Sequence, residues 1–159
     1  MSTHVIIDRA TADDAAQIAT LVGALLHDIM NASGVPAFHF DVEETTARLT
    51  DFIRQGKYFV FVARDADRHA IGFVTLYESH ALYAEGSFGT LPEFYVGPEY
   101  RSHGVGRRLL DQAKSIGRAR GWKRLEVTTP PLPPFDRTLA FYEREGFAIT
   151  GGRKLRLVL

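Results

Sequence analysis

A glycine-containing loop, Arg101–Gly106, is the segment of this sequence whose residue types best suit the binding of an anion. It follows a hydrophobic strand that ends at Val96, and an amphipathic helix is predicted to begin near Gly104. Gly104 and Gly106 let a bulky anion approach the backbone amides, because neither residue has a Cβ atom. Those amides are also the unsatisfied donors of a helix N-terminus, which carries a partial positive charge. The loop therefore predicts a site for a phosphate or pyrophosphate group.

Two familiar phosphate-binding motifs do not fit this loop. A dinucleotide-binding fingerprint requires a third glycine where the sequence has Leu109, and a P-loop requires lysine and a hydroxyl residue where it has Arg107 and Arg108. Two glycines at this spacing are also common in tight turns that lead into a helix and bind no ligand. Four basic side chains could add mobile positive charge around a bound anion: Arg101, His103, Arg107 and Arg108.

Composition and charge narrow the class of protein. The chain has 159 residues, of which 45% are hydrophobic and 24% charged, as in an ordinary soluble globular domain. It has no cysteine, which excludes disulfides, thiolate metal sites and cysteine nucleophiles. The formal net charge is zero, which argues against nucleic acid as the main partner. Neither a signal peptide nor a membrane-spanning run of about 18 apolar residues is visible, so we expect a single domain, residues 1–159, in the cytoplasm.

Hydrophobic periodicity predicts an α/β fold, in which about four helices cover both faces of a mixed, mostly antiparallel sheet of about six or seven strands. Capping boxes at Thr11 and Asp41 indicate the starts of the first two helices. Pro92 interrupts one predicted strand, which we expect to be bulged or splayed because proline cannot donate a ladder hydrogen bond. The predicted helices cover residues 15–29, 41–53, 105–120 and 138–145, and the predicted strands cover residues 4–10, 58–63, 70–77, 88–96, 123–129, 147–150 and 153–159.

Two segments, in a fixed order, resemble one known family. The loop Arg101–Gly106, entered from the strand Phe94–Val96, resembles the coenzyme A pyrophosphate loop of the GNAT acetyltransferases. Further along, Leu139–Phe147 resembles the short helix and the following strand that close the GNAT fold. The resemblance covers nearly the whole chain, since the earlier elements also follow the family's order. It implies a splayed pair of central strands, residues 88–96 and 123–129, with acetyl-coenzyme A as the acyl donor between them and no metal.

The resemblance also assigns residues to the acyl donor. Backbone groups that are freed where the two strands separate pair with the pantetheine arm, as an added strand would. Many relatives hold the pantetheine with an asparagine at the position of Phe135, so the contacts on that side are unassigned here. The residues implied to bind the donor are Tyr95, Val96, Arg101, Ser102, His103, Gly104, Val105, Gly106 and Arg107.

Two residues are candidates for proton transfer. Tyr142 matches the family tyrosine near the coenzyme sulfur, and a phenol, with an ordinary pKa of about 10, is protonated at neutral pH and can act as the general acid. The alternative is that Tyr142 only packs beside Phe141. Glu93 lies on the donor-side strand, where many relatives place an acid, and is the candidate general base. The alternative for Glu93 is a surface carboxylate, although alternation places it on the same strand face as Tyr95.

The activity implied by the resemblance is N-acetyl transfer from acetyl-coenzyme A to a primary amine, by direct attack in a ternary complex. The acceptor is a small molecule or a peptide, which the sequence does not identify, and residues 26–40 and 78–89 are the segments expected to bind it. Candidate lining residues are Phe38, His39, Phe40, Tyr77, Tyr83 and Phe88, with Asp28, Glu78 and Glu85 as candidate partners for a cation.

Two other classes of function compete with an enzyme. A non-catalytic module that senses acyl-coenzyme A would keep the Arg101–Gly106 loop but lack a working acid. A nucleic-acid-binding domain would use the basic residues of segment 101–124 and would show affinity that falls steeply with salt. A homodimer that pairs through residues 153–159 follows from analogy with the family alone.

Overall fold

The computed structural model describes residues 4–159. They fall into two compact units, the first extending to Thr128 and the second spanning Thr129–Leu159. No described helix is both long and apolar enough to cross a membrane. The first unit contains β1 (Ile6–Arg9), α1 (Ala15–Ser33), α2 (Val42–Arg54), β2 (Phe59–Arg64), β3 (Ala70–Ala81), β4 (Gly86–Leu91), β5 (Phe94–Val96), α3 (Val105–Ala119) and β6 (Leu125–Val127), and the second contains α4 (Asp136–Arg144).

The six strands form one mixed sheet in the order β1-β2-β3-β4-β6, with β5 beside β3 and off this path. All neighbours are antiparallel except β4 and β6, which are parallel. The mostly antiparallel sheet predicted from the sequence is therefore confirmed. The predicted strand 88–96 is divided into β4 and β5 at Pro92, as the missing backbone donor of proline requires.

One face of the sheet packs against α1 and α2. Side chains alternate along a strand, so Val60, Val62 and Phe73 point to this face. There they form a buried cluster with Ile18 of α1 and Leu49 of α2. This cluster also includes Tyr95 of β5, so it supports the strand on which the candidate site is built.

The opposite face is covered by α3. Phe59, which alternates with Val60, contacts the ring of Trp122 with the two ring centroids 5.9 Å apart. Trp122 follows α3 directly, and its backbone N–H donates to the carbonyl of Gly117 on that helix at 2.9 Å. The expected coverage of both sheet faces by helices is confirmed for the first unit.

Local signals set the ends of the early helices. The Asp41 carboxylate accepts a hydrogen bond from the N–H of Glu44 at 2.8 Å and caps α2, as predicted. The Asp14 carboxylate accepts from the N–H of Thr11 at 2.8 Å before α1. α1 continues beyond its predicted end and stops at Gly34, whose φ of 71° is a conformation that glycine adopts without strain.

Close packing at Gly89 of β4 gives a stability prediction. A Cβ atom at this position would lie 2.5 Å from the ring of Trp122 and 2.7 Å from the Leu125 side chain. Trp122 is buried, so the added Cβ displaces a packed side chain, and Gly89→Ala is expected to lower the free energy of unfolding by about 1–3 kcal/mol. The matched control is Gly151→Ala, where an added Cβ meets no atom within 4 Å. Equal melting temperatures for the two variants would contradict the prediction.

The predicted C-terminal hairpin, residues 147–150 and 153–159, is wrong. The second unit has no strand among residues 129–159, and α4 is its only regular element. Leu155 and Leu157 alternate as in a strand, but 90% and 84% of their surface is exposed. A hairpin of two strands is marginally stable unless further strands or a helix cover one face, so the pattern alone does not produce one.

Candidate active site

The sheet opens on one side of β5. β4 pairs with β6 from Gly89 opposite Leu125 to Leu91 opposite Val127, and the pairing ends there. β5 continues after Pro92 and pairs with β3, but no strand within residues 4–128 pairs with its other edge. The expected separation of these central strands is therefore present, and one edge of β5 is unpaired within residues 4–128.

The backbone of Val96 faces this open edge. The N–H of Gly97 donates to Ile71 at 2.8 Å and the N–H of Thr75 donates to Glu93 at 2.9 Å, so the odd-numbered residues of this strand direct their backbone groups toward β3. Because direction alternates along a strand, the backbone groups of Val96 point away from β3. The backbone of Tyr95 faces β3, and its side chain lies in the buried cluster. The geometry favours Val96 over Tyr95 as the amide donor at the open edge.

Arg101 secures this end of the strand. Its Nε donates to the Val96 carbonyl at 2.8 Å, and its Nη2 lies 3.4 Å from the Asp28 carboxylate on α1. The guanidinium also lies over the Tyr95 ring, 5.4 Å from the centroid. The expectation that Arg101 adds mobile charge to the loop is corrected by these contacts, which give it a positioning role.

Arg108 is likewise held away from the loop. Its Nη1 donates to the Val5 carbonyl at 2.9 Å, so this side chain ties α3 to the segment before β1. His103 and Arg107 are exposed basic side chains beside the loop.

The loop itself has the conformation that an anion cradle needs. Ser102 and Gly104 both have positive φ, at 65° and 80°, and Gly104 caps α3. The first helical hydrogen bond runs from the N–H of Arg108 to the carbonyl of Gly104 at 3.1 Å. The N–H groups of Val105 and Gly106 therefore have no acceptor within the helix and point out of its positive end. A pyrophosphate group fits these donors.

Gly104 carries a prediction about donor binding. An alanine Cβ would meet nothing within 4 Å, but the φ of +80° is strained for any L-residue. Gly104→Ala is therefore expected to lower stability by about 1–2 kcal/mol and to weaken acetyl-coenzyme A binding as the loop relaxes. Gly121→Ala is the control, since φ there is +73° and space is equally open. Calorimetry should show weaker donor binding for Gly104→Ala only, and an equal loss in both variants would contradict this role.

Glu93 lies in a half-buried polar setting on the α1–α2 face. One carboxylate oxygen accepts from Thr75 Oγ1 at 2.5 Å, and the Tyr58 hydroxyl lies 3.2 and 3.3 Å from the two oxygens. Burial raises the pKa of Glu93, and the hydrogen bonds from Thr75 and Tyr58 oppose that rise. Glu93 is thus not a freely solvated surface carboxylate, and it shares its face with Tyr95 as predicted.

A cavity of about 440 Å³ lies near the start of β2. Tyr58 is one of its lining residues, and the Tyr58 hydroxyl also contacts the carboxylate of Glu93, which does not itself line the cavity. The sequence suggested Tyr77 and Glu78 for such a pocket but missed Tyr58, which carries no local signal because its partner is far along the chain. The lining residues are Phe52, Gly56, Lys57, Tyr58, Phe59, Tyr77, Glu78, His80 and Arg120.

Other acceptor candidates are placed elsewhere. Asp28 is paired with Arg101, and Phe88 is buried. Tyr83 is 78% exposed, and the guanidinium of Arg124 lies over its ring. None of these lines the cavity.

Tyr142 lies on α4 in the second unit and is buried. Its ring contacts Phe141 and Phe147 with centroid distances of 5.5 and 5.3 Å. Gly146 ends the helix with a φ of 99°, as the sequence predicts. Burial raises the pKa of Tyr142 above its ordinary value, so the phenol keeps its proton at neutral pH.

One group of potential metal ligands is present among the described residues. Asp65, Asp67 and His69 lie in the turn between β2 and β3. The Asp65 carboxylate accepts from the N–H groups of both Asp67 and His69 at 2.9 Å, which is a common way to close such a turn. The group thus has a local structural role in the hairpin.

The fold is thus an open mixed sheet in which one edge of β5 is unpaired within residues 4–128, followed by a helix with a glycine cap. The model of the acetyltransferase (GNAT) family matches residues 25–147, and the chain belongs to this family. Members of the family use acetyl-coenzyme A. No curated protein matches the sequence significantly.

Solved structures share the fold at low sequence identity. A predicted acetyltransferase from Clostridium acetobutylicum with acetyl-CoA is 16% identical, with a TM-score of 0.78 over 98% of this chain and 96% of that chain. The ribosomal-protein-alanine N-acetyltransferase of Brucella melitensis biovar Abortus 2308 is 19% identical, with a TM-score of 0.72 over 96% and 99%. An aminoglycoside acetyltransferase from an uncultured soil metagenomic sample, in complex with sisomicin, is 18% identical, with a TM-score of 0.75 over 98% and 96%.

Proposed function

We propose that the protein is an N-acetyltransferase, which transfers the acetyl group of acetyl-coenzyme A to a primary amine by direct attack in a ternary complex. The observation that carries this proposal is the unpaired edge of β5, to which the Val96 backbone points, together with the glycine-capped N-terminus of α3 that follows this strand in the chain. An extended pantetheine can pair with that edge while its pyrophosphate meets the helix N-terminus.

Donor binding divides between two sets of residues. Val105 and Gly106 offer amides to the pyrophosphate, with Ser102 and Gly104 setting the path of the loop and His103 and Arg107 adding charge. The Val96 N–H is aimed at the thioester carbonyl, where one amide donor to a developing oxyanion is typically worth about 3 kcal/mol. The Arg101 side chain contacts both the Val96 carbonyl and the Tyr95 ring, and these contacts fix the position of β5.

The chemical step requires two proton transfers. The neutral amine attacks the thioester carbon, so that a carbon–nitrogen bond forms and the carbon–sulfur bond breaks. Glu93 takes the proton that the amine loses, directly or through water, and Tyr142 gives a proton to the departing thiolate. The assignment of Tyr142 depends on the family motif in Leu139–Phe147, and the raised pKa of its phenol suits a proton donor. No covalent acetyl-enzyme is formed.

The experiment that tests this function combines donor binding with turnover. Calorimetry measures acetyl-coenzyme A binding to the full chain, and a thiol assay measures coenzyme A release with a mixed panel of primary amines. We expect binding, together with amine-dependent release. Binding without release by any amine would favour an acyl-coenzyme A-sensing module, and the absence of binding would overturn the proposal.

A further inference from the structure

The carboxylate of Glu93 is bound by two hydroxyl groups, one on Thr75 and one on Tyr58. We propose that Thr75 and Tyr58 are positioning residues for the reaction: their hydroxyls orient the Glu93 carboxylate and leave one of its oxygens open to receive the amine proton. The inference rests on the proposed function, because it takes Glu93 as the base.

Thr75 lies where the register of the sheet changes. Residues 74–77 of β3 lie opposite residues 90–94, so the chain on the opposite side contains one extra residue, a bulge at Pro92. Beyond the bulge, the N–H of Thr75 donates to the Glu93 carbonyl at 2.9 Å, but the N–H of Glu93 donates to the Thr75 hydroxyl at 3.1 Å and not to the Thr75 carbonyl. The Thr75 side chain thus replaces a backbone acceptor and fixes the Glu93 backbone just before β5 begins.

The same Thr75 hydroxyl also orients the Glu93 side chain. Thr75 is 1% exposed, so water has little access to this hydroxyl. Its Oγ1 lies 2.5 Å from one carboxylate oxygen of Glu93 and 3.3 Å from the Glu93 carbonyl, so its single proton is donated to the carboxylate. One hydroxyl therefore binds both the backbone and the carboxylate of Glu93, which gives the carboxylate a fixed orientation relative to β5.

Tyr58, the residue before β2, supplies the second donor. Its hydroxyl lies 3.2 and 3.3 Å from the two Glu93 oxygens, and its ring contacts Phe52 and Tyr77 at centroid distances of 5.0 and 6.3 Å. Burial, and after it the charge of Glu93, raises the pKa of Tyr58, so the phenol keeps its proton and acts as a donor. The Glu93 oxygen that Thr75 does not bind contacts only Tyr58 within residues 4–159, so it keeps a lone pair for a further proton.

Neutral donors suit a base better than a cation would, because a cation stabilises the carboxylate charge more strongly and reduces its proton affinity. Within residues 4–159, Glu93 forms no ion pair, and no charged side chain of α1 or α2 acts on it. The titratable groups of this cluster are Tyr58 and, through its contact with Tyr58, Tyr77. Burial raises the pKa of Glu93, and the two hydroxyls oppose that rise. Removal of either hydroxyl should therefore raise the pKa of Glu93 further.

The rate test compares each variant with the native protein at the same pH and with the same amine, so that the ionisation of the amine cancels. Loss of one hydrogen bond to a carboxylate corresponds to about tenfold in an equilibrium constant. Tyr58→Phe should therefore lower kcat about tenfold below the pH at which Glu93 loses its proton, and should leave kcat unchanged above it.

Thr75→Val should lower kcat at least about tenfold at every pH, because the orientation of the carboxylate is lost as well. KM for acetyl-coenzyme A should not change in this variant. Thr75→Ser keeps the hydroxyl and should restore the native pH profile, which loss of the Thr75 methyl group alone would not allow. Thr46→Val is the matched control, because the Thr46 hydroxyl is exposed and donates to the Val42 carbonyl within α2.

A measurement without turnover separates this inference from the proposed function. Carbon-13 NMR of the full chain with labelled glutamate follows the ionisation of Glu93, and Glu93→Gln assigns its signal. A raised pKa of Glu93 in Tyr58→Phe and Thr75→Val, with the rate profile shifted in the same direction, would support the inference. An unchanged pKa in both variants would overturn it, and the transferase would stand if Glu93→Gln still alters the profile.

Two further outcomes concern the base itself. A raised pKa of Glu93 with an unshifted rate profile would overturn Glu93 as the base, and with it the positioning role of both hydroxyls in the reaction. A raised pKa without coenzyme A release from any amine would support the binding of the carboxylate by the two hydroxyls and would overturn the enzyme.

Discussion

Replacing Tyr142 by phenylalanine is expected to lower kcat for acetyl transfer by at least about a hundredfold, the usual contribution of a general acid, while KM for acetyl-coenzyme A changes little. The substitution removes only the hydroxyl, and the ring contacts with Phe141 and Phe147 are kept. The expected loss of rate therefore comes from the protonation of the departing thiolate. The measurement is steady-state thiol release, with the melting temperature recorded in parallel.

A second tyrosine provides the control for this prediction. Tyr83 is 78% exposed and does not line the cavity at Tyr58, so Tyr83→Phe should leave kcat unchanged. An acyl donor with a more acidic leaving thiol needs less proton donation, so it should recover part of the rate of Tyr142→Phe. If Tyr142→Phe keeps full turnover and full stability, Tyr142 is only a packing residue of α4.

Replacing Glu93 by glutamine is the second change from which we expect a large loss of activity. We expect kcat to fall about a hundredfold or more, because the amine loses its proton acceptor. Since burial raises the pKa of Glu93, the rate of the native protein should rise with pH through a value above that of an ordinary carboxyl group. This limb of the pH profile should be missing in Glu93→Gln. An unchanged profile would show that Glu93 is not the base.

The same substitution is expected to stabilise the fold at neutral pH. The folded-state pKa of Glu93 is raised, so its favourable contribution is present below the ordinary carboxyl pKa and is lost as pH rises through the folded value. Glutamine avoids the buried charge and keeps an oxygen that can accept from Thr75 or Tyr58. The melting temperature should therefore rise, by an amount that shrinks on acidification. Glu43→Gln, an exposed position on α2, is the control and should show neither effect.

Local signals were sufficient for most of the fold. The Asp41 cap, the hydrophobic face of α3 and the polar turn between β2 and β3 each act over a few residues, so the sequence predicted these elements closely. Pro92 predicted the break between β4 and β5 for the same reason, since the absence of one backbone donor is a local property. The donor loop up to Gly106 also depends on neighbours in sequence.

Contacts between distant residues were not predictable in the same way. Tyr58 and Glu93 are 35 residues apart, and Arg101 and Asp28 are 73 residues apart. No pattern in one segment reveals such a partner, so the positioning role of Arg101 and the cavity beside Tyr58 became visible only in the folded chain. The hairpin predicted after Gly146 does not form, because a segment with an alternating pattern becomes a strand only where a partner strand or a helix covers it.

The central claim is tested most directly by the mass of the products after a single turnover. The protein is mixed with acetyl-coenzyme A and the amine that gives the fastest thiol release, and both the amine and the intact protein are measured by mass spectrometry. Direct transfer predicts an amine that has gained one acetyl group for each coenzyme A released, and a protein of unchanged mass at every time point. An acetylated protein that forms before the product, or coenzyme A release without any acetylated amine, would contradict it.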